Sequence, residues 1–315
     1  MDFLSFCESL GCEIKPKEPL RRHTTFRIGG PADLVILPPE PYCDEMPPER
    51  SVTAQVLKTA QEHRLELRFI GRGSNVLMPD EGLSAYVLKW DETATPQLLD
   101  DTTVYAGAGV SLSALCLFAQ KNGLSGLEFA YGIPASVGGA LYMNAGAYSG
   151  EMKDVVAFAD TFASNGEFHR LSATQLNYGY RHSVFMEESQ FGAIISGGVF
   201  TLQKEDPAEI KKRMETHMAA RKSKQPLEYP SAGSTFQRPK GAYAAALIDE
   251  CGLKGVCVGG ACVSEKHAGI VINKNNATAA DVLALMELIR QTVHDKTGFD
   301  LQPEVRLFHE GSTAQ

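Results

Sequence analysis

The stretch GLEFAYGIPASVGGALYMNAGAYSGE, residues 126 to 151, restricts the fold of this chain more than any other. It is too apolar for a linker and too irregular for a single helix or strand. Glycine loses more backbone freedom on folding than other residues, so a run with so many glycines is costly. A main chain that wraps closely around a large flat or phosphorylated ligand would justify that cost. Tight packing of one backbone segment on another is the alternative, and the stretch alone leaves both open.

A second glycine motif is GRGSNVL, residues 71 to 77, which follows a predicted helix (51 to 67) and a short apolar strand (68 to 70). Gly71 and Gly73 allow close approach of a ligand, and the successive amides can form an anion-binding nest. The dinucleotide fingerprint G-x-G-x-x-G and the P-loop lysine are both absent here and in the similar GAGVSL. An ordinary Rossmann or P-loop fold is therefore excluded.

Helical and strand patterns alternate along the rest of the chain. Residues 103 to 110 predict a strand, residues 111 to 123 a helix, and Asn165-Gly166 a β-hairpin. Asp206-Pro207 opens a helix and marks a domain boundary, and a long helix should run from Thr278 to Gly298. The segment 299 to 308 alternates apolar and polar residues, as a strand does. The fold class is α/β or α+β.

Composition excludes several function classes. A chain of 315 residues with 43% hydrophobic content can build two or three domains, and its net charge of -8 argues against nucleic-acid binding. No apolar run approaches the length that spans a membrane, and the first residues predict a short helix ending at Gly11 rather than a signal peptide. We therefore expect a cytoplasmic protein.

The seven cysteines are expected to be free thiols. Cys251, Cys257 and Cys262 lie close in sequence but lack C-x-x-C spacing, so no metal site is predicted.

Ser234 lies in YPSAGSTFQRP, a run of small residues between two prolines. The G-x-S-x-G motif of serine hydrolases is not matched, which disfavours a nucleophile. A serine hydroxyl can instead donate a proton to a carbanionic or enolic carbon, because that carbon is the stronger base. A simple turn residue is the remaining alternative.

Seven stretches in this order closely resemble the UDP-N-acetylenolpyruvoylglucosamine reductase family, over residues from about 20 to 308. They are RRHTTFRIGGPADL, GRGSNVL, EFAYGIPASVGGALYMNAGAYSGE, YRHSVF, SAGSTFQRP, AALIDECGLKG and QPEVRLF.

The resemblance implies an α+β architecture with an FAD-binding fold of the vanillyl-alcohol-oxidase (PCMH) type. Residues 1–206 would bind FAD in two α/β subdomains, about 1–50 and 51–206. A smaller C-terminal α/β domain, 207–301, would bind substrate, and 302–315 would return to the active site as a strand. FAD would be bound non-covalently, with NADPH as co-substrate, a UDP-sugar as substrate, and no metal or obligate protein partner.

The resemblance also implies a two-stage reaction of peptidoglycan precursor synthesis. NADPH reduces the flavin, and the flavin then reduces the enolpyruvyl group of UDP-N-acetylglucosamine enolpyruvate to give UDP-N-acetylmuramate. By the matching motifs, Arg181 would bind and polarise the carboxylate, Ser234 would protonate the neighbouring carbon, and Glu304 would help to stabilise the enol.

Further residues are assigned to the ligands. Tyr180, Arg238 and Lys266 would contact the substrate. The predicted FAD contacts are Arg27, Gly29, Gly71, Arg72, Gly73, Ser74, Asn75, Ile133, Pro134, Gly138, Gly139, Asn144 and Arg306.

Blander alternatives remain at this point. Without the motif matches, Arg181 as a solvated side chain and Glu304 with Arg306 as an ion pair on a strand face would be favoured. The short connection after YRHSVF indicates the shorter type of family member, without the tyrosine-bearing substrate loop. The proline-rich segment 37 to 50 suggests a surface excursion. A flavin oxidase of the same fold and a non-catalytic nucleotide-binding module are the alternative functions.

Overall fold

A computed structural model describes residues 2–40, 50–187 and 193–308. Most of the proline-rich segment, part of the connection that indicated the shorter type, and the end of the predicted C-terminal strand lie outside these residues. The helices are α1 Phe3–Ser9, α2 Val52–Glu62, α3 Leu112–Lys121, α4 Val137–Met143, α5 Pro207–Lys224, α6 Ala244–Glu250 and α7 Ala279–Thr297.

The strands are short apart from a few in the sheet centres. They are β1 Glu13–Pro19, β2 Pro31–Leu37, β3 Leu67–Ile70, β4 Val76–Leu77, β5 Tyr86–Trp90, β6 Gln97–Leu98, β7 Thr103–Gly107, β8 Leu124–Ser125, β9 Gly146–Ala147, β10 Gly150–Glu151, β11 Val156–Phe162, β12 Phe168–Ser172, β13 Ile194–Thr201, β14 Gln203–Lys204, β15 Cys257–Val258, β16 Ala261–Val263, β17 Val271–Asn273 and β18 Arg306–Leu307.

Most helices begin at a side chain that accepts a hydrogen bond from their own first turn. Asp206 caps α5, as its position before Pro207 predicts. Thr278 and Asp281 form a reciprocal capping box at the start of α7, and α7 ends at Gly298 in the left-handed conformation. These local signals explain why both helix starts were predicted correctly.

The first sheet has the order β1-β2-β5-β3, with β2, β5 and β3 parallel and β1 antiparallel to β2. Helix α2 packs on it through Val56, Leu57 and Ala60. The sheet joins residues from both sides of position 50, so the expected division into subdomains at about 1–50 and 51–206 is wrong. The parallel pairing of β2 with β5 is the reason, because it places distant segments in one sheet.

The second sheet is antiparallel, with the order β12-β11-β13-β7-β6. The hairpin at Asn165-Gly166 joins β11 to β12, as predicted, and Gly166 has a φ of 83°. The central strand β13 is buried along most of its length. Gly198 in β13 lies against Leu141 of α4, since a Cβ there would be 2.9 Å from Leu141 Cδ1. This contact fixes α4 above the sheet.

The C-terminal region contains the small antiparallel sheet β15-β16-β17, which is covered by α7, and α6 packs on α7. Its core also includes Phe26, Ile28 and Leu77 from the N-terminal part of the chain. The Asp80 carboxylate accepts hydrogen bonds from the Ala279 and Ala280 amides at the start of α7. The two parts therefore share a core and a helix cap. The domain limits at 206/207 and 301/302 stay predictions.

The predicted strand over 299 to 308 is reduced to β18, which pairs in parallel with β4. Glu304, expected on the polar face, is buried with 9% of its surface exposed. The backbone before β18 bonds instead to the loop around Ser234: Phe236 bridges Pro303, and Glu304 N donates to Thr235 O at 2.9 Å. The alternating pattern therefore predicted an exposed Glu304 wrongly, because this segment lies between β4 and the loop around Ser234 rather than at a sheet surface.

The expectation of free thiols is wrong for one pair. Cys257 and Cys262 form a disulfide, because the antiparallel pairing of β15 with β16 places them directly opposite each other. Cys7, Cys12, Cys116 and Cys251 are free and buried. Within the described ranges, no group of His, Cys, Asp and Glu side chains could hold a metal ion. No helix in those ranges is long and apolar enough to cross a membrane.

The capping box at α7 gives a first prediction. Replacing Thr278 with Ala removes the acceptor for the Asp281 amide and should lower the free energy of unfolding by about 1 kcal/mol. Thr292→Ala, in the middle of the same helix, is the matched control and should be neutral or slightly stabilising, because Ala has the higher helix propensity. Thermal unfolding of both variants checks this; equal melting temperatures would contradict it.

Candidate active site

A cavity of about 710 Å³ lies where the first sheet, the second sheet with α4, and the C-terminal region meet. Most of its wall comes from four stretches: residues 69 to 76, the loop and helix from Ile133 to Ala147, the segment from Gln225 to Ser234, and the C-terminal residues from Glu304 to Phe308. The volume is typical of a site for a small molecule or cofactor. All three predicted catalytic residues line it.

The loop Gly71–Asn75 forms one wall. Gly73 has a φ of +61°, and a Cβ there would lie 2.2 Å from the carbonyl oxygen of His23. Glycine is therefore required both by the backbone conformation and by the close neighbour. The amides of Arg72, Gly73 and Ser74 donate to no group in the described part of the chain. They border the cavity, so they are available to an anion.

The start of α4 forms the adjoining wall, with Ile133, Pro134, Gly138 and Gly139. Here the amides are already used: Gly138 N donates to Ala108 O at 2.9 Å, and Gly139 N donates to Ser136 Oγ at 3.3 Å. A Cβ on Gly138 would lie 2.9 Å from the Cβ of Ala108. Gly138 is therefore required by tight backbone packing, which was the alternative explanation of the glycine-rich stretch. This packing shapes the cavity wall.

Strand β18 brings Arg306 to the Gly71–Asn75 loop. Arg306 N donates to Asn75 O at 2.9 Å, and Asn75 Nδ2 donates to Glu304 O at 3.1 Å. The Arg306 guanidinium donates through Nη2 to the Tyr142 hydroxyl at 3.0 Å. Its buried Nε has no hydrogen-bond partner among the described residues. Arg306 therefore has a donor left for a bound ligand.

Arg181 and Glu304 form an ion pair inside the cavity. Arg181 Nε donates to Glu304 Oε1 at 2.8 Å, and Nη2 donates to Gly146 O at 3.0 Å. Glu304 thus pairs with Arg181 rather than with Arg306. Burial raises the pKa of the Glu304 carboxyl, and the neighbouring Arg181 opposes that rise.

Ser234 follows a tight turn at Gly233, where φ is +73°. The next residue is firmly held: Thr235 N donates to Gly269 O at 2.9 Å, and Val271 N donates to Thr235 Oγ1 at 3.0 Å. The Ser234 side chain is exposed at the cavity wall. None of the described cavity-lining residues is a histidine, so a hydrolase-type Ser-His pair finds no support here.

Two predicted FAD contacts do not line the cavity. Asn144 is fully buried in a left-handed conformation; its amide donates to Glu151 Oε2 at 2.6 Å and to Gly179 O at 2.9 Å. A Cβ on Gly29 would lie 2.6 Å from the Cβ of Met78. Both residues hold the chain in place beside the cavity, and their assignment to FAD has no support from its walls.

The three predicted substrate contacts also lie outside the cavity walls. Tyr180 is 55% exposed, with the Arg181 guanidinium 5.4 Å from its ring centroid. Arg238 lies over the ring of Tyr243 at 4.4 Å. Lys266 Nζ donates to Lys222 O at 2.7 Å. Their roles stay predictions.

The cavity is electropositive although the protein is acidic. Its lining residues include two carboxylates, Glu228 and Glu304, and a larger set of guanidinium groups: Arg27, Arg72, Arg181, Arg221 and Arg306. Sequence reasoning missed Arg221 and Tyr142. Arg221 lies in the last turn of α5, where a basic side chain is ordinary, so no local signal distinguished it.

Comparison with known proteins identifies the family. Residues 47–172 match a family model described as "FAD binding domain", and residues 225–308 match "UDP-N-acetylenolpyruvoylglucosamine reductase, C-terminal domain". A protein of Lachnoclostridium phytofermentans named UDP-N-acetylenolpyruvoylglucosamine reductase is 44% identical, over 93% of this chain and 92% of its own. This chain belongs to the UDP-N-acetylenolpyruvoylglucosamine reductase family.

Other members of the family agree. The reductase of Geobacillus kaustophilus is 43% identical, over 93% of this chain and 92% of its own. The crystal structure of the Thermus caldophilus reductase superposes with a TM-score of 0.78 and 34% identity, covering 95% of this chain and all of that one. The expected α+β, FAD-binding fold with a C-terminal domain is thereby confirmed, and the protein is a flavin-dependent oxidoreductase.

The residues present fit FAD. The amides of Arg72, Gly73 and Ser74 and the unpartnered Nε of Arg306 supply donors on one side of the cavity, as a diphosphate requires. Glycine at 71 and 73 lets this loop pack closely on Ser136 and His23, which keeps the loop in its place at the cavity.

The reductase should lose FAD when Gly73 becomes Ala, because the Cβ clashes with His23 O and the residue is forced into the left-handed region. Gly241→Ala is the matched control: its φ is +83°, but its Cβ would have no neighbour within 4 Å. We expect a several-fold lower ratio of flavin to purified protein for Gly73→Ala only. Full flavin content in both variants would rule out this role for the loop.

Glu304 gives a prediction of pH dependence. Burial raises its pKa above that of an exposed glutamate, so the folded protein keeps a proton that the unfolded chain releases as pH rises. The stability of wild type relative to Glu304→Gln should therefore fall as pH rises through this window and then become constant. Melting temperatures of both proteins from about pH 4 to about pH 8 measure the difference. A wild type that gains on the variant with rising pH would show that the attraction of Arg181 outweighs burial.

Proposed function

We propose that this enzyme uses NADPH to reduce UDP-N-acetylglucosamine enolpyruvate to UDP-N-acetylmuramate in peptidoglycan precursor synthesis. The observation that carries the proposal is the convergence of Arg181, Glu304 and Ser234 on the same cavity whose Gly71–Asn75 loop and Arg306 fit FAD. FAD, held by the Gly71–Asn75 loop and Arg306, would supply hydride transfer from NADPH to the terminal carbon of the enolpyruvyl group.

Arg181 holds the substrate carboxylate. Its Nε and Nη2 are engaged by Glu304 and Gly146, while Nη1 donates to no group among the described residues. The guanidinium is thus fixed with one donor free. Negative charge grows on the carboxylate side when hydride reaches the terminal carbon, and a preorganised cation lowers the energy of that transition state.

Ser234 donates the proton that completes the reduction. Its hydroxyl makes no hydrogen bond within the described chain, and Thr235 holds the adjacent backbone rigidly. The carbon next to the carboxylate is a stronger base than the serine alkoxide, so the serine needs no lowered pKa. The alkoxide recovers its proton from Glu304 or from water.

Glu304 is suited to stabilise the enol. Burial raises its pKa, which favours the protonated form that can donate a hydrogen bond to a developing enol oxygen. The ion pair with Arg181 keeps the carboxyl in position in the ionised form.

One cavity serves both substrates in this proposal. NADPH and the UDP-sugar would occupy the same space in turn. Among the pockets lined by described residues, this is the one that contains the proposed catalytic groups. Non-covalent FAD, a cytoplasmic location and independence of a protein partner stay predictions.

Anaerobic stopped-flow measurement of Ser234→Ala tests the proton donor. NADPH should bleach the flavin of this variant at the wild-type rate, and reoxidation by the enolpyruvyl substrate should be about 10²- to 10⁴-fold slower. Ser231→Ala, in the same loop and on the same wall, is the matched control and should behave as wild type. Reoxidation of Ser234→Ala at the rate of the control would refute the assignment.

A further inference from the structure

Arg221 is a half-buried cation on the cavity wall without a partner. Its guanidinium makes no hydrogen bond or ion pair with any described residue. Burial lowers the pKa of this guanidinium, since no nearby carboxylate offsets the loss of hydration. An unpaired buried charge is costly, so its retention on a cavity wall points to an anionic ligand.

The surroundings of Arg221 hold it in place. A Cβ on Gly132 would lie 3.4 Å from Arg221 Cδ, so the stem of the side chain packs on the glycine-rich stretch. One turn earlier in α5, the His217 ring stacks on Tyr148 with centroids 4.4 Å apart. Tyr148 is in the turn between β9 and β10, and the same hairpin supplies Gly146 O to Arg181. The wall that positions Arg181 therefore also positions Arg221.

The other cavity arginines already have a place. Arg72 is part of the Gly71–Asn75 loop, and Arg306 is bonded to that loop through its backbone amide. Arg27 lies close to the same loop, because Thr25 N, two residues earlier, donates to Gly73 O. Arg181 is committed to Glu304 and the substrate carboxylate. Arg221 is on a different wall, where the end of α5 continues into the cavity-lining segment Gln225–Ser234.

We propose that Arg221 binds the diphosphate of the nucleotide substrates, both the UDP-sugar and NADPH. This inference rests on the proposed function. A guanidinium matches a diphosphate because its planar donors can bond two phosphate oxygens together. Both nucleotides carry this group, so one arginine serves both as they occupy the cavity in turn. The FAD diphosphate is accounted for by the Gly71–Asn75 loop.

Binding of UDP and of uridine to the oxidised holoenzyme tests the proposal without turnover. Flavin absorbance changes on titration give both dissociation constants. Wild type should bind UDP far more tightly than uridine. Arg221→Met should weaken UDP binding about 10- to 100-fold and leave uridine binding and FAD content unchanged. Arg221→Lys should fall between them, because a lysine keeps the charge but not the fork.

Lys222→Met is the matched control, since Lys222 is the exposed neighbour of Arg221 on the same helix turn. This variant should bind UDP with the affinity of the wild type. In turnover, Arg221→Met should raise the KM of both NADPH and the UDP-sugar, with little change in kcat.

Three results would overturn the inference: unchanged UDP affinity in Arg221→Met, equal loss of UDP and uridine binding, or loss of FAD, which would make Arg221 a cofactor contact. These outcomes are separate from failure of the proposed function. That function fails if wild type does not oxidise NADPH with the enolpyruvyl substrate, whatever its affinity for UDP.

Discussion

The active site depends on the backbone bonds that fix residues 304 to 308 between two loops. On one side, Arg306 N and Phe308 N donate to Asn75 O and Leu77 O, which tie this segment to the cofactor loop. On the other side, Glu304 N donates to Thr235 O, next to the proposed proton donor. Residues separated by more than 200 positions, Asn75 and Glu304 among them, become neighbours through a few hydrogen bonds. The segment therefore links the Gly71–Asn75 loop to the loop around Ser234, as Thr25 also does through Gly73 O and Ser231 O.

The Arg181–Glu304 pair is expected to add little to stability, which agrees with the catalytic roles proposed for both residues. Burial of a charged pair costs hydration, and the attraction between the charges seldom exceeds that cost by much. Here the pKa of Glu304 is still raised although Arg181 is in contact with it. The raised pKa agrees with the proposed role of this carboxyl, and Arg181 Nη1 makes no hydrogen bond with the described residues. A hydrophobic pair of the same volume could hold the chain together but could fill neither proposed role.

Much of this architecture could be predicted from sequence, and the features that could not be predicted share one cause. Helices α5 and α7, the Asn165-Gly166 hairpin and the two glycine loops are specified by neighbours in the chain, such as Asp206 before Pro207. Errors arose where distant segments decide the outcome. The parallel pairing of β2 with β5, the disulfide across β15 and β16, and the burial of Glu304 all depend on contacts that no local pattern encodes. Motif resemblance placed Arg181, Ser234 and Glu304 on the cavity, but Asn144 proved to hold a loop, and Arg221 carried no motif.

The most direct test of the account is a crystal structure of the Ser234→Ala holoenzyme with the enolpyruvyl substrate bound. We expect the FAD diphosphate along Gly71–Asn75, the substrate carboxylate within hydrogen-bond distance of Arg181, and the methyl group at position 234 facing the carbon next to that carboxylate. A carboxylate bound away from Arg181, or an enolpyruvyl group remote from position 234, would contradict the assignment of these residues to the reaction.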